Sequence, residues 1–179
     1  MSHVVFSLSL VYNGNILMIG ENRMDLKDRV EFPSKIIVPD IFKNKLGACS
    51  NCVLMDKEIL IFNKALYAVS QQLLQENVEP STIEKFTTFF TLKGELNLFE
   101  QINNTFGVRF NSAVYMMENI RKTNSDVFML FTFVEEMAHY YWHISNETLV
   151  KYKVEEIIQQ VHPEFTLDYM RERWNLNGL

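Results

Sequence analysis

NSDVFMLFTFVEEMAHYYWHI, residues Asn124 to Ile144, is the stretch on which the reading of this chain turns. From Val127 to Val134 only Thr132 is polar. A helix that is apolar on all sides belongs in the middle of a core, and the pattern predicts one over 125–144 with Asn124 or Ser125 as its cap. Into that apolar setting fall Glu135, Glu136, His139 and His143. Glu135, His139 and His143 follow one another in steps of four, so a continuous helix puts them on one stripe, with Glu136 beside it. Burying a carboxylate without compensation is expensive. The compensation comes from these groups themselves, from basic side chains, or from a metal ion.

Working outward toward the C-terminus, helical patterns cover 147–161 and 164–175, separated by Pro163. Toward the N-terminus, helices are expected at 111–122, at 95–105 before Gly107, and from Pro80-Ser81 to about Gly94. Ser81 followed by Glu84 makes a capping-box pattern for the last of these. Ala65, Leu66, Ala68, Val69, Leu73 and Leu74 give a further helix over 64–77. Strands precede it. Val4 to Tyr12 and Ile16 to Ile19 flank Asn13-Gly14, a hairpin signature. Cys52 to Met55 and Glu58 to Asn63 read as a second hairpin turning at Asp56-Lys57, and Lys35 to Val38 as a short strand closed by Pro39. The expected fold is α+β in a single domain, 1–179. A strand-rich part at 1–63 supplies hairpins and a small, mainly antiparallel sheet, and a helical part at 64–179 makes up the other two-thirds.

The totals narrow the function classes. The chain has 179 residues, 47% hydrophobic and 22% charged, as expected of one globular domain with a substantial core. Its formal net charge of −5 lacks the basic surplus of a nucleic-acid binder. No apolar run reaches the roughly 20 residues that span a bilayer. Met1 to Leu10 alternates like a strand and lacks a positive n-region, so the expected location is the cytoplasm, or a host's cytoplasm for a phage-encoded chain. Cys49 and Cys52 form a single CxxC with no second half nearby, which reads as two reduced thiols in a turn, with half a zinc site or a redox pair as the alternatives. No phosphate-binding glycine loop and no GxSxG elbow occurs. The ExxH spacing of Glu136 and His139 also occurs in di-iron bundles, but a second ExxH is missing.

The string Phe131-Thr-Phe-Val-Glu135-Glu136-Met-Ala-His139-Tyr-Tyr-Trp-His143 resembles the active-site helix of zincin metallopeptidases of the ImmA/IrrE type. In such enzymes two histidines at i and i+4 hold Zn²⁺, and the glutamate after the first polarises the bound water. The resemblance implies that Glu136 is the general base and that His139 is a zinc ligand. It implies Glu155 or Glu156, preferably Glu156, as the ligand from the following helix. Ile59 to Asn63 looks like the strand along the substrate cleft. The first zinc histidine is replaced by Glu135, so the motif reads EExxH, and a retained zinc would be held among Glu135, His139, Glu156 and His143.

Two expectations follow. The first is a degenerate zincin-like protein, an accessory factor of a phage or mobile element, that acts by binding a protein or peptide partner and leaves room for residual metal-dependent peptidase activity. The second is a non-enzymatic interaction or inhibitor protein of unrelated α+β fold, in which the Glu/His helix carries a structural polar network.

Overall fold

The protein is α+β. Its structure, a computed structural model, describes residues 8–10, 17–19, 22–26, 29–93, 98–101 and 111–169. Two sheets are present. The first has four antiparallel strands in the order β1 (Leu8–Leu10), β2 (Leu17–Ile19), β3 (Asn22–Leu26) and β6 (Leu98–Gln101). Leu10 pairs with Leu17, the antiparallel register expected of the first hairpin; its Asn13-Gly14 turn lies outside the described residues. The second sheet has three strands, β4 (Leu46–Ser50), β5 (Phe86–Thr91) and β7 (Ser112–Met116), in that order and all parallel. A small, mainly antiparallel sheet was the expectation for the strand-rich part at 1–63. The core sheet is parallel instead, because β4 is followed by a long helix and not by a hairpin return.

That helix is α1 (Asp56–Gln75). It covers the whole stretch expected to be a second hairpin and the helix after it. Asp56-Lys57 is the first turn of the helix, not a turn between strands. Glu58 reaches back to accept from Met55 N at 2.8 Å, which satisfies one of the orphan donors at the helix start. The apolar residues recur in pairs, Ile61 and Phe62, Ala65 and Leu66, Ala68 and Val69, all buried. The apolar run Ile59-Leu60-Ile61, with two β-branched residues, hid that period, but tertiary burial on a 3.6-residue repeat outweighs local preference. The helix closes on Asn77 at φ 57, with Val78 N bonded to Leu73 O at 2.9 Å.

The helix expected from Pro80 to Gly94 is β5. Only Pro80–Thr82 turns, as a 3-10 segment, after which Phe-Thr-Thr-Phe-Phe-Thr at 86–91 is made of aromatic and β-branched residues suited to a central strand. The helix expected over 95–105 is β6 in its described part, 98–101. The one expected over 111–122 divides into β7 and the short α2 (Met117–Lys122). Residues 35–38 form no strand. They run extended past Asn63, whose amide accepts from Ile37 N at 2.8 Å and donates to Lys35 O at 3.1 Å.

Two further helices complete the described fold, α3 (Asp126–Tyr141) and α4 (Glu147–Ile158). The helix expected over 164–175 is described only at its start, through Tyr169. Helices α1, α3 and α4 pack on one another, and α3 also packs on β7. An aromatic cluster joins the layers. Phe62 of α1 lies edge-on to Phe90 of β5 at 5.0 Å and to Phe133 of α3 at 5.4 Å, and Tyr115 of β7 lies 4.8 Å from Phe133. Each such contact adds about 0.5–1.5 kcal/mol beyond area burial. Among the described residues no helix is long and apolar enough to cross a membrane.

Candidate functional site

Helix α3 forms where its sequence pattern placed it. Ser125 Oγ accepts from Phe128 N at 3.2 Å as the N-cap, and Leu130, Phe131, Phe133, Val134, Met137 and Ala138 are buried. It stops earlier than expected. Trp142 is the C-cap and His143 takes a left-handed conformation at φ 53, a position that favours Gly or Asn. His143 is therefore exposed and outside the helix, and the stripe that begins with Glu135 ends at His139.

His139 joins α3 to the start of α4. Its Nδ1 lies 2.5 Å from Ile144 O, and because a carbonyl only accepts, Nδ1 carries the proton. Nε2 then faces Glu147 Oε2 at 3.6 Å. Glu147 follows the N-cap Asn146, whose side chain accepts from Thr148 N and Leu149 N. Four residues on, Lys151 is buried at 9% exposure in α4.

These charges act on one another. Glu135 is half-buried, and burial pushes its carboxyl above the usual range; Lys151 and His139 pull it down, while Glu136 and Glu147 push it further up. Glu136 is exposed, yet burial of its carboxyl is still the main cause that raises it, with His139 opposing and Glu147 adding. Tyr115 of β7 is raised well above its ordinary value by burial first, then by Glu136 and Tyr141. The group thus consists of Glu135, Glu136 and His139 on α3 with Glu147 and Lys151 on α4, and it reaches toward β7.

Glu155 and Glu156 point elsewhere. Glu155 accepts from Leu167 N at 3.1 Å. Glu156 accepts from Gln72 of α1 and from Lys153, each at 2.6 Å. Lys153 also bonds Glu76 at 2.7 Å, and Glu76 accepts from Trp142 Nε1 at 2.6 Å. Glu156 therefore belongs to a network that ties α4 to the end of α1. The residues that the resemblance assigns to zinc do not fit a single ion as placed: Glu156 is engaged with Lys153 and Gln72, and His143 is off the helix. Lys151 supplies a cation to the remaining group, and no set of three or more ligating side chains gathers among the described residues. Glu147 and Lys151 were not singled out from sequence as site residues. The signal that carries them is an Asn146 cap followed by Glu147 and, at i+4, Lys151, starting soon after His139.

Neither cysteine of the CxxC is in a disulfide, and both are buried. Cys52 Sγ lies 3.6 Å from Ser50 Oγ, and burial raises its thiol, with Ser50 and Arg121 opposing and Glu58 adding. A thiol raised in this way is inert at neutral pH.

The other feature of the site is the edge of the parallel sheet. Thr87 N donates to Asn111 O at 2.9 Å, and Thr87 is in register with Ser112. In a parallel ladder this phase directs the N–H and C=O groups of 113 and 115 toward β5. Those of Ser112 and Val114, with the N–H of Met116, point to the opposite side, while the C=O of Met116 serves the first turn of α2. Among the described residues no strand pairs with that outer edge. Ala113 and Tyr115 are buried beneath α3, whereas Val114 is 37% and Met116 46% exposed. Helix α3 runs antiparallel to β7. Phe133 O accepts from Tyr115 at 3.0 Å, and Tyr140, further along, donates to Lys85 O at 3.1 Å beside the start of β5. Comparison with protein-family models, curated proteins and solved structures finds no match for this chain.

Proposed function

We propose that this chain acts by binding an extended segment of another protein along the outer edge of β7, beside the acidic face of α3, and not by peptidase chemistry. The observation that carries the reading is the row of main-chain groups at Ser112, Val114 and the N–H of Met116, which no strand pairs among the described residues. An added strand takes its affinity from such main-chain groups and its selectivity from flanking side chains. Glu136 lies close enough to β7 to act electrostatically on Tyr115, and Glu135 and Glu147 act in the same acidic group. The preferred partner is therefore an extended segment with basic side chains at alternate positions. The charged residues on α3 support this reading as well. The carboxylates are offset by His139 and Lys151, which suits a fixed polar network better than a reactive centre.

The test is selection of displayed random peptides on the purified chain, with Val114→Pro as the matched control. Proline at 114 removes an outward N–H and leaves the β5 ladder bonds intact. Enriched peptides should carry Lys or Arg at alternate positions and should lose binding to Val114→Pro while Tyr67→Ala on α1 binds normally. Selected peptides that bind Val114→Pro as well as wild type would refute the proposal, and so would a selection that enriches nothing.

A further inference from the structure

We infer that the exposed face of α1 is where two copies of this chain pair, their α1 helices antiparallel across a two-fold axis that passes beside Tyr67. The inference does not rest on the β7 reading and shares no residue with it.

Three observations carry it. Leu60, Tyr67 and Leu74 are 57%, 52% and 51% exposed, on a helix whose Phe62, Ala65, Leu66 and Val69 are fully buried. A seven-residue spacing keeps the three in line along one side of the helix. Ile37, also exposed, extends the row from its flank, because its N–H is held by Asn63 of α1 at 2.8 Å. Apolar side chains exposed singly are ordinary; a contiguous row marks an interaction surface. Second, the row reads alike from either end. Leu60 and Leu74 lie seven residues before and after Tyr67, and the half-buried carboxamides Asn63 and Gln71 lie four before and four after. A two-fold interface is isologous, so it sets a patch against the same patch reversed. Reversed, Leu60 meets Leu74 of the second copy, Asn63 meets Gln71, and the two Tyr67 rings meet at the axis. Third, charge selects the antiparallel arrangement. Lys57 and Lys64 are exposed in the first half of α1, and Glu76 and Glu79 follow its end. Parallel copies would set lysine against lysine, whereas reversed copies bring Lys57 to the acidic end. Lys57 already meets Asp126, and Glu76 meets Lys153, so charge chooses the orientation and the apolar row supplies the affinity.

At about 1.5 Å per residue the row from Leu60 to Leu74 is about 21 Å long. One helix face of that length is at the small end of specific interfaces, which corresponds to a micromolar dimer. Sedimentation equilibrium of the full chain from about 1 to 200 μM should show monomer exchanging with dimer. Tyr67→Glu sets two carboxylates together at the axis and should weaken the dimer at least about tenfold, with the circular dichroism spectrum unchanged. Leu74→Glu should weaken it from the end of the row and keeps the test valid if Tyr67→Glu folds poorly. Cysteine substitution reads the register, with copper–phenanthroline in air as oxidant; the native Cys49 and Cys52 are buried. Tyr67→Cys should link to its own kind. Leu60→Cys should not, because its two copies lie about 21 Å apart in the pair, but it should link to Leu74→Cys when the chains are mixed. A chain that stays monomeric over the whole range overturns the inference. So does a dimer that both glutamate variants leave intact, or one in which Leu60→Cys links to itself as readily as Tyr67→Cys. Peptides selected on β7 should bind Tyr67→Glu as they bind wild type, so this inference and the β7 proposal fail separately.

Discussion

Arg121→Met should be among the most destabilising exposed-side substitutions in this chain. Glu58 is 1% exposed in side chain and Arg121 28%. The pair is bidentate: Arg121 Nε donates to Glu58 Oε1 at 2.7 Å and a terminal nitrogen donates to Oε2 at 2.8 Å. The same nitrogen bonds Val53 O at 2.8 Å, so α2 is fastened both to the first turn of α1 and to the loop before it. Removing the guanidinium leaves Glu58 with one described donor, Met55 N. Stripping one partner from a buried pair costs about 3–5 kcal/mol. Water reaches the Arg121 side of the pair, so the low end of that range, about 3 kcal/mol, is the better figure. For a chain of this size each kcal/mol moves Tm by about 2–4 °C, which gives a fall of about 6–12 °C. Urea unfolding of Arg121→Met, Glu58→Leu and the double variant completes a thermodynamic cycle. The double variant should recover to within about 1–2 kcal/mol of wild type, apart from the helix cap that Glu58 also provides. An Arg121→Met loss below about 1 kcal/mol, or a double variant that merely sums the two single losses, would refute the claim that this pair is a coupled buried unit.

Tyr141 carries the sole buried side-chain oxygen without a partner among the described residues, so Tyr141→Phe should raise stability by about 1 kcal/mol, read as a higher urea midpoint at unchanged m-value. His143 occupies a left-handed position at φ 53, and His143→Gly should be neutral to about 1 kcal/mol stabilising; a clear loss would show that the imidazole makes a stabilising contact. Acid should weaken the α1–α4 network. Glu76 is lowered because hydrogen bonds from Lys153, Gln72 and Trp142 outweigh the opposing effect of burial, the largest single cause. A carboxyl lowered in the native state adds stability that is present above its unfolded pKa and is lost as pH falls through the folded value. Lys153→Met should therefore flatten the stability–pH curve below about pH 4.5, the ordinary range for a glutamate, and a curve parallel to wild type would contradict this.

The sequence made the helices of the C-terminal part legible because their apolar residues keep a 3.6-residue period and their caps are explicit. Ser125 and Asn146 cap α3 and α4 within a residue or two of the expected starts. The first third and the middle were harder. Ile59 and Ile61 look like strand residues, but their neighbours Phe62, Ala65 and Leu66 carry the same buried face on as a helix. Ser81 with Glu84 looks like a capping box, but the residues that follow, Phe86 to Thr91, pack only as a central strand. Local signals failed where a parallel sheet was built, because its strands are paired across long crossovers that leave no nearby trace. The site divides in the same way. Glu135, Glu136 and His139 could be read from spacing on one helix. Glu147 and Lys151 could not, because their role depends on how α4 returns beside α3, and nothing in the spacing of one helix encodes that.

Among the described residues the outer edge of β7 is left open, which argues for use and not accident. Edge strands are ordinarily protected by lysine, proline, a bulge or a covering element, since an unpaired row of N–H and C=O groups recruits other chains. Ser112-Ala-Val-Tyr-Met116 contains neither lysine nor proline. On the sheet face that carries Val114 and Met116, the neighbouring Phe89 and Cys49 are buried, so the covering of that face diminishes at the edge strand. The charge near this strand is mainly acidic: Glu136 acts on Tyr115, with Glu135 and Glu147 in the same group and Lys151 and His139 partly opposing them. An acidic flank repels a second copy of itself and admits a basic strand. It therefore works as protection against self-association and as selectivity for a partner at once. The substitution that separates these roles is Glu136→Lys, which removes the acidic flank while leaving the main-chain edge intact. Basic peptides selected on wild type should bind the variant at least about tenfold more weakly, the equivalent of about 1.4 kcal/mol. Sedimentation should show more self-association than wild type. A variant that binds the same peptides equally well would leave the edge without the selectivity that this arrangement of charge requires.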